Sequence, residues 1–259
     1  MDTSAPIPRR DTQELRRAGW IALAFVAVLW LVKLVEEFAG LDFSDFGVRP
    51  GEILGLAGVL TAPLIHGSFQ HLIMNSLPLA VLLALALFNY PRGAWRALLL
   101  IWLLGGLGIW LIGRPSSHIG ASGLTHGLMF YLFLLGLLRR DRNATVIAMV
   151  VFFLYGGMVM TVLPREPGVS WEAHLCGAVA GALAAVLWRR LDPPEPLPRP
   201  SWELEEEAAA AAARDDADTY ELPRPAQVPV LWQRLPDERG VILEFPRRRR
   251  DEDVPPTLH

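Results

Sequence analysis

The stretch "IGASGLTHGLMFYLFLLGLL", residues 119–138, decides how this chain is read. Its second half is apolar enough for lipid, yet its first nine residues carry three glycines, a serine, a threonine and a histidine. Polar groups inside apolar spans are expensive, so each one needs a reason to be there. A hydroxyl pressed between two glycines (Gly120, Ser122, Gly123) is the first to explain.

The surroundings set the context. Crossing about 30 Å of hydrocarbon takes roughly 20 mostly apolar residues. Six windows meet that length: 18–36, 63–88, 94–112, 119–138, 144–163 and 171–188. The fold class expected is therefore an all-α polytopic membrane protein with six transmembrane helices. The chain has 259 residues, 52% of them hydrophobic, but the apolar material is concentrated in 18–190. The first window is too long for a secretory signal and five more follow, so it is expected to be retained. The single cysteine, Cys176, excludes an internal disulfide and any multi-cysteine metal site. It is expected to be a small buried residue.

Arginines set the orientation. With the N-terminus inside, the inner flanks hold eleven basic residues: Arg9, Arg10, Arg16, Arg17, Arg92, Arg96, Arg139, Arg140, Arg142, Arg189 and Arg190. The outer flanks hold four, Lys33, Arg49, Arg114 and Arg165. This bias predicts a plasma-membrane protein with both termini cytoplasmic. The organisation expected is a cytoplasmic segment over 1–17, a six-helix domain over 18–190 and a tail over 191–259. That tail opens on the stiff linker "LDPPEPLPRP", and Ser201 is placed to cap a short helix through "WELEEEAAAAAA". Beyond it, Pro and charge predict disorder or docking of an unknown partner. The segment 37–62, containing "FGVRPGEILGLAGV", is too apolar for a free linker and is expected beside the bundle.

The remaining polar residues fall in one layer. The second span opens with "HGSFQHLIMN" (His66, His71, Asn75), the fourth with Ser122 and His126, and the sixth with "WEAHLCGAVAG", which holds His174. All three spans run inward, and their polar residues lie near the outer ends. At 1.5 Å per residue, Ser122 and His174 lie about 5 Å inside their helices and Asn75 about 15 Å. His71 and Asn75 are four apart and share a helical face. Gly123 and Gly127 on the fourth span, and Gly177 and Gly181 on the sixth, are small-xxx-small pairs that let backbones approach closely. If those faces meet, Ser122 and His174 come within reach of each other.

A serine hydroxyl is a weak nucleophile until a base takes its proton, and a neutral histidine suits that task. The resulting oxyanion needs fixed donors, for which His71, Asn75 and the Ser122 backbone N–H are candidates. Glu172 is two residues from His174 and points to another helix face, so the arrangement reads as a Ser–His dyad without an acid.

These motifs, taken together and in order, resemble the rhomboid intramembrane serine proteases. The resemblance rests on Gly120-Ala-Ser122-Gly123, on His174 followed by Gly177 and Gly181, and on the spacing of His66, His71 and Asn75. It covers roughly residues 18–190 and implies a six-helix rhomboid-like bundle. It also implies Ser122 as nucleophile, His174 as base, and His71 with Asn75 completing the oxyanion hole, with His66 in a supporting role. By the same resemblance the substrates are transmembrane segments of other membrane proteins in the lipid bilayer, cleaved near the outer face. No cofactor, metal or nucleic-acid partner is implied. Two features depart from the pattern. His126 stands where many members carry a tyrosine or phenylalanine that packs on the base, and the first outer loop lacks the Trp-Arg pair many members have.

Other classes fit less well. "GASGL" is not G-x-S-x-G, since position 124 is leucine, and no S-x-x-K starts at Ser122. The histidines include no H-E-x-x-H, and no carboxylate lies at ligand spacing from His66 or His71. A catalytically inactive rhomboid-like scaffold or a transporter is the alternative, although transporters place their sites near the midplane. His118 is expected in a wet outer loop.

Overall fold

The computed structural model describes residues 9–164, 168–193 and 200–219, with side chains from Thr12 to Arg214 within those ranges. Its helices are α1 (Arg9–Ala39), α2 (Gly58–Thr61), α3 (Phe69–Asn89), α4 (Pro91–Ile112), α5 (Ser122–Arg139), α6 (Arg142–Tyr155), α7 (Trp171–Trp188) and α8 (Ser201–Thr219). Among the described residues, six segments are long and apolar enough to cross a membrane: Thr12–Ala39, Phe69–Asn89, Pro91–Ile112, Ser122–Arg139, Arg142–Val162 and Trp171–Trp188. The protein is a multi-pass, all-α membrane protein, as the spacing of apolar windows predicts.

Two spans form the centre. In α5 and α7, 56% of the span is buried within the protein, against 22% for α1 and 17% for the α6 segment. The cause is composition. From Gly177 onward the buried face of α7 is Gly177, Ala178, Ala180, Gly181, Ala184 and Ala185, with almost no side-chain bulk. Without a hydrophobic drive between helices in lipid, close van der Waals packing of small residues holds such a pair together. The fit is tight: a Cβ on Gly177 would collide with the Gly123 carbonyl, and one on Gly181 with the Gly127 carbonyl. The two glycine pairs face each other.

Larger side chains close the remaining core. Leu72, Leu79, Leu82 and Leu83 of α3, Ile101 of α4, and Leu128, Tyr131 and Leu132 of α5 are fully buried. Trp30 of α1 donates its indole N–H to Ser76 of α3 at 3.0 Å. At the other end of the bundle, Asp192 accepts from the backbone N–H of Arg92 (3.1 Å) and Gly93 (2.8 Å), capping α4 from a hundred residues away. Asp141 caps α6 by accepting from the Ala144 N–H at 2.8 Å.

The segment between α1 and α3 is docked on the bundle, as its apolar content predicts. The Trp102 indole donates to the Val59 carbonyl (3.0 Å) and the Trp110 indole to Glu52 (2.8 Å). Val48 and His118 exchange two backbone hydrogen bonds, at 2.9 and 3.0 Å.

Several boundaries differ from the sequence reading. The second span does not open at residue 63. Ala62–Leu64 is a 3-10 turn, Ser68 caps α3 through the His71 N–H, and His66 lies ahead of the helix. Asn75 is then six residues into α3, about 9 Å rather than 15 Å deep. The fourth span starts at Ser122 itself, because Gly120 has φ +111°, a conformation open to glycine and strained for other residues. The fifth span tightens at Gly156 into a 3-10 helix over Gly156–Val162. His118 is not in a wet loop but 3% exposed.

A second unit begins at Leu197. Its helix α8 covers the expected stretch but takes in Ser201 as its first residue and runs beyond the alanine tract to Thr219. The tail past that residue and Arg165 lie outside the described residues.

Candidate active site

Ser122 is the first residue of α5, where a helix leaves its initial backbone N–H groups without intrahelical partners. The two residues ahead of it are already engaged. The Gly120 N–H donates to the Ala62 carbonyl (2.9 Å) and the Ala121 N–H to His66 Nε2 (3.3 Å). The N–H groups of Ser122 and Gly123 therefore remain as the donors of a positive helix end. The His71 ring covers Gly120 closely: a Cβ there would lie 2.5 Å from its Cε1 and 2.8 Å from its Nε2. No residue larger than glycine can bring His71 to the mouth of α5.

His174 sits one turn into α7 and is 7% exposed. Its Nδ1 lies 2.9 Å from the carbonyl of Thr161. A carbonyl only accepts, so Nδ1 carries the proton and Nε2 carries the lone pair. The His126 ring stacks on it at 3.9 Å between centroids and 10° between planes. His126 in turn donates from Nδ1 to the Ser122 carbonyl at 2.7 Å, and its Nε2 lies 2.8 Å from Thr161 Oγ1, whose hydroxyl donates to the Met158 carbonyl at 2.8 Å. One residue thus meets both rings: the Thr161 carbonyl orients His174, and its hydroxyl lies beside His126. His126 ties the serine's backbone to the histidine beside it.

The remaining residues are placed less directly. No hydrogen bond joins Ser122 Oγ to His174. In unliganded sites such bonds are often long and tighten when substrate binds. Asn75 is 5% exposed and donates one amide N–H to the His71 carbonyl at 3.1 Å, which leaves its second N–H for another acceptor. Glu172 points away from His174, as its position in the helix requires, and pairs with Arg114 at 2.5 Å. Cys176 is buried and lies against Gly108. Thr161 escaped the sequence reading because its decisive atom is a backbone carbonyl, which no residue pattern marks.

His66 lies outside the spans and packs edge-on against His71 at 5.1 Å. Its Nε2 accepts from Ala121, so the proton is on Nδ1, which is buried without a partner. Burial, reinforced by the neighbouring His71, pushes its pKa down to about 4 from 6.5. The unfolded chain takes up this proton near pH 6.5 and the folded protein only near 4, so stability is lost as pH falls between them. The loss reaches about 3 kcal/mol once His66 is protonated in both states. Thermal midpoints in detergent should fall over this window, and His66→Gln, which keeps an acceptor for Ala121 but does not titrate, should show a shallower fall. An equal slope in both proteins refutes the assignment.

Comparison with known proteins identifies the family of the chain. The Rhomboid domain family model matches residues 55–191, which include every site residue described above. An uncharacterized protein of Mycobacterium tuberculosis is 44% identical over 191 residues, covering 68% of this chain and 79% of that one. One from Mycobacterium leprae is 38% identical over 192 residues, covering 68% and 76%. A protein of Acanthamoeba polyphaga mimivirus, which carries the name rhomboid protein, is 26% identical over 183 residues, covering 67% and 92%. With six apolar spans, a glycine-seamed central pair and a domain match over more than half its length, the chain belongs to the rhomboid family.

Proposed function

We propose that this protein is an intramembrane serine endopeptidase that cleaves transmembrane segments of other membrane proteins. The rhomboid family consists generally of such enzymes and acts on membrane-protein substrates in the bilayer. The observation that carries the reading is the state of His174. Its Nδ1–H is committed to the Thr161 carbonyl, which leaves Nε2 as a base with no hydrogen-bond partner among the described residues, near a serine at a helix N-terminus.

In the chemistry this arrangement supports, Ser122 Oγ attacks the substrate carbonyl carbon while His174 Nε2 takes the hydroxyl proton. The imidazolium so formed keeps its second N–H on Thr161. The tetrahedral oxyanion accepts from the Ser122 N–H, with His71 and the free Asn75 N–H as further donors. The C–N bond then breaks as His174 returns the proton to the leaving amine. Water repeats the sequence on the acyl-serine, and His174 accepts its proton. Arginine distribution supports a cell-membrane orientation with both termini cytoplasmic and this site toward the outer face. The tail over 191–259 is left to bind a partner.

His126 is assigned to holding the base. Loss of a stacked ring costs roughly 0.5–1.5 kcal/mol, so His126→Ala is expected to lower kcat about tenfold. His126→Phe should recover most of that by restoring the stack. Equal activity of wild type and His126→Ala removes the role.

The test of the whole reading is a serine-directed fluorophosphonate probe in detergent together with cleavage of a reporter transmembrane substrate. Both should require Ser122. A protein that neither labels nor cleaves favours an inactive scaffold.

A further inference from the structure

The loop from Gly113 to Ala121 connects α4 to α5 and delivers Ser122. It also grips the start of α7, which delivers His174, in two places. Arg114 forms the first grip. Its guanidinium donates to both carboxylate oxygens of Glu172 (2.5 and 3.1 Å) and to the Val169 carbonyl (3.0 Å), and its backbone N–H reaches Glu172 at 3.3 Å. His118 forms the second. Its Nδ1 is 2.6 Å from Ser170 Oγ, and Ser170 Oγ accepts from the Ala173 N–H at 3.3 Å as the cap of α7. The other nitrogen, Nε2, donates to the Arg114 carbonyl at 3.0 Å. That bond fixes the tautomer, so Nδ1 accepts and Ser170 donates. The chain of donors therefore runs from the α7 backbone through Ser170 and His118 back to the loop. Backbone bonds between His118 and Val48 anchor the same loop to the first outer segment.

This construction is costly. The Glu172 side chain is fully buried, while Arg114 is half exposed. A buried carboxylate is tolerated only when paired and hydrogen-bonded. A lipid-spanning helix does not need one in its first turn. Below the site, the glycine seam fixes how closely α5 and α7 approach. It leaves their sliding and tilt at the outer end to whatever holds that end.

We infer that Arg114, Glu172, His118 and Ser170 are positioning residues, a clamp that fixes His174 against Ser122 by tying the serine's loop to the histidine's helix. The inference rests on the protease reading for its kinetic consequence. Its geometric content, that the α7 start is held by this loop, does not. Misplacement of a catalytic group by about 1 Å costs on the order of 10²-fold in rate.

The test uses the full chain in detergent. Glu172→Gln keeps the volume and leaves no unpaired buried charge. Ser170→Ala removes the hydroxyl that joins α7 to His118, and Ser170→Thr keeps it. Glu172→Gln and Ser170→Ala are expected to lower kcat by about ten- to a hundredfold with KM nearly unmoved. Ser170→Thr should stay near wild type. Hydrogen exchange should accelerate about tenfold or more in a peptide spanning 169–177 and stay unchanged in α3 and α5. Wild-type kcat in both disruptive variants overturns the inference, as does a rise in KM alone or equal loss in Ser170→Thr. If the wild type proves inactive, the protease reading fails by itself and exchange decides the clamp: unchanged protection at 169–177 overturns it.

Discussion

Ser122→Ala is expected to take cleavage of a transmembrane reporter to background, a fall of at least about 10⁴-fold in kcat. Among the described residues, nothing near α5 supplies another nucleophile in its place. Thr125 is committed to the Ser122 carbonyl at 2.7 Å, and Cys176 is buried against Gly108. His174→Ala should fall as far, since no other side chain presents a ring nitrogen oriented by the Thr161 carbonyl. The double variant should be no worse than either single one, because nucleophile and base act as one unit. Ser122→Ala should keep a wild-type thermal midpoint within a few degrees, since Ser122 Oγ makes no hydrogen bond among the described residues. His174→Ala should stay folded but melt lower, because it gives up the Thr161 bond and the His126 stack. Substantial residual activity in Ser122→Ala ends the assignment. Multiplicative losses in the double variant would separate the two residues mechanistically.

The second large effect is on the fold. Gly181→Val places a branched side chain where α7 meets the α5 backbone at the Gly127 carbonyl. Overpacking of a core costs typically 1–3 kcal/mol when side chains can shift, and here the obstacle is main chain within a helix. A loss of about 3 kcal/mol or more is expected, seen as a lower thermal midpoint and a smaller folded fraction in detergent. Gly19→Ala is the matched control, since a Cβ there meets nothing within 4 Å. Its effect should stay within about 1 kcal/mol, and helix propensity makes it favourable. Equal behaviour of the two variants would refute the seam as the basis of the α5–α7 contact.

Much of this architecture is legible from residue types alone. Apolar length locates six spans, and the pairs Gly123/Gly127 and Gly177/Gly181 identify which two helices meet, because only small residues permit that approach. The residues His66, His71, Ser122, His126 and His174 are marked by being polar in apolar company. What escapes is of two kinds. Apolar content does not mark helix starts where the backbone turns before the helix begins: Ser68 caps α3 and Gly120 breaks the chain ahead of α5, so the apolar windows begin before both helices. The grip of Arg114 on Glu172, and of His118 on Ser170, joins residues over fifty positions apart in loops with no periodicity. A charged or polar residue at a span's edge reads equally well as solvated.

In the proposed dyad the group that orients the base is a peptide carbonyl. An acid in that place can be deleted, and a screen of carboxylates would find it. The Thr161 carbonyl survives every side-chain substitution, so alanine scanning would report His174 as unsupported. Two kinds of change would reach it. One is altered backbone geometry in Gly156–Val162, the 3-10 segment that carries Thr161. The other is conversion of the Thr161–Val162 amide to an ester, which weakens that carbonyl as an acceptor without moving an atom of the side chain. A milder loss for Thr161→Ala, which removes only the hydroxyl beside His126, than for insertions or deletions around it is the mutational signature this support would leave.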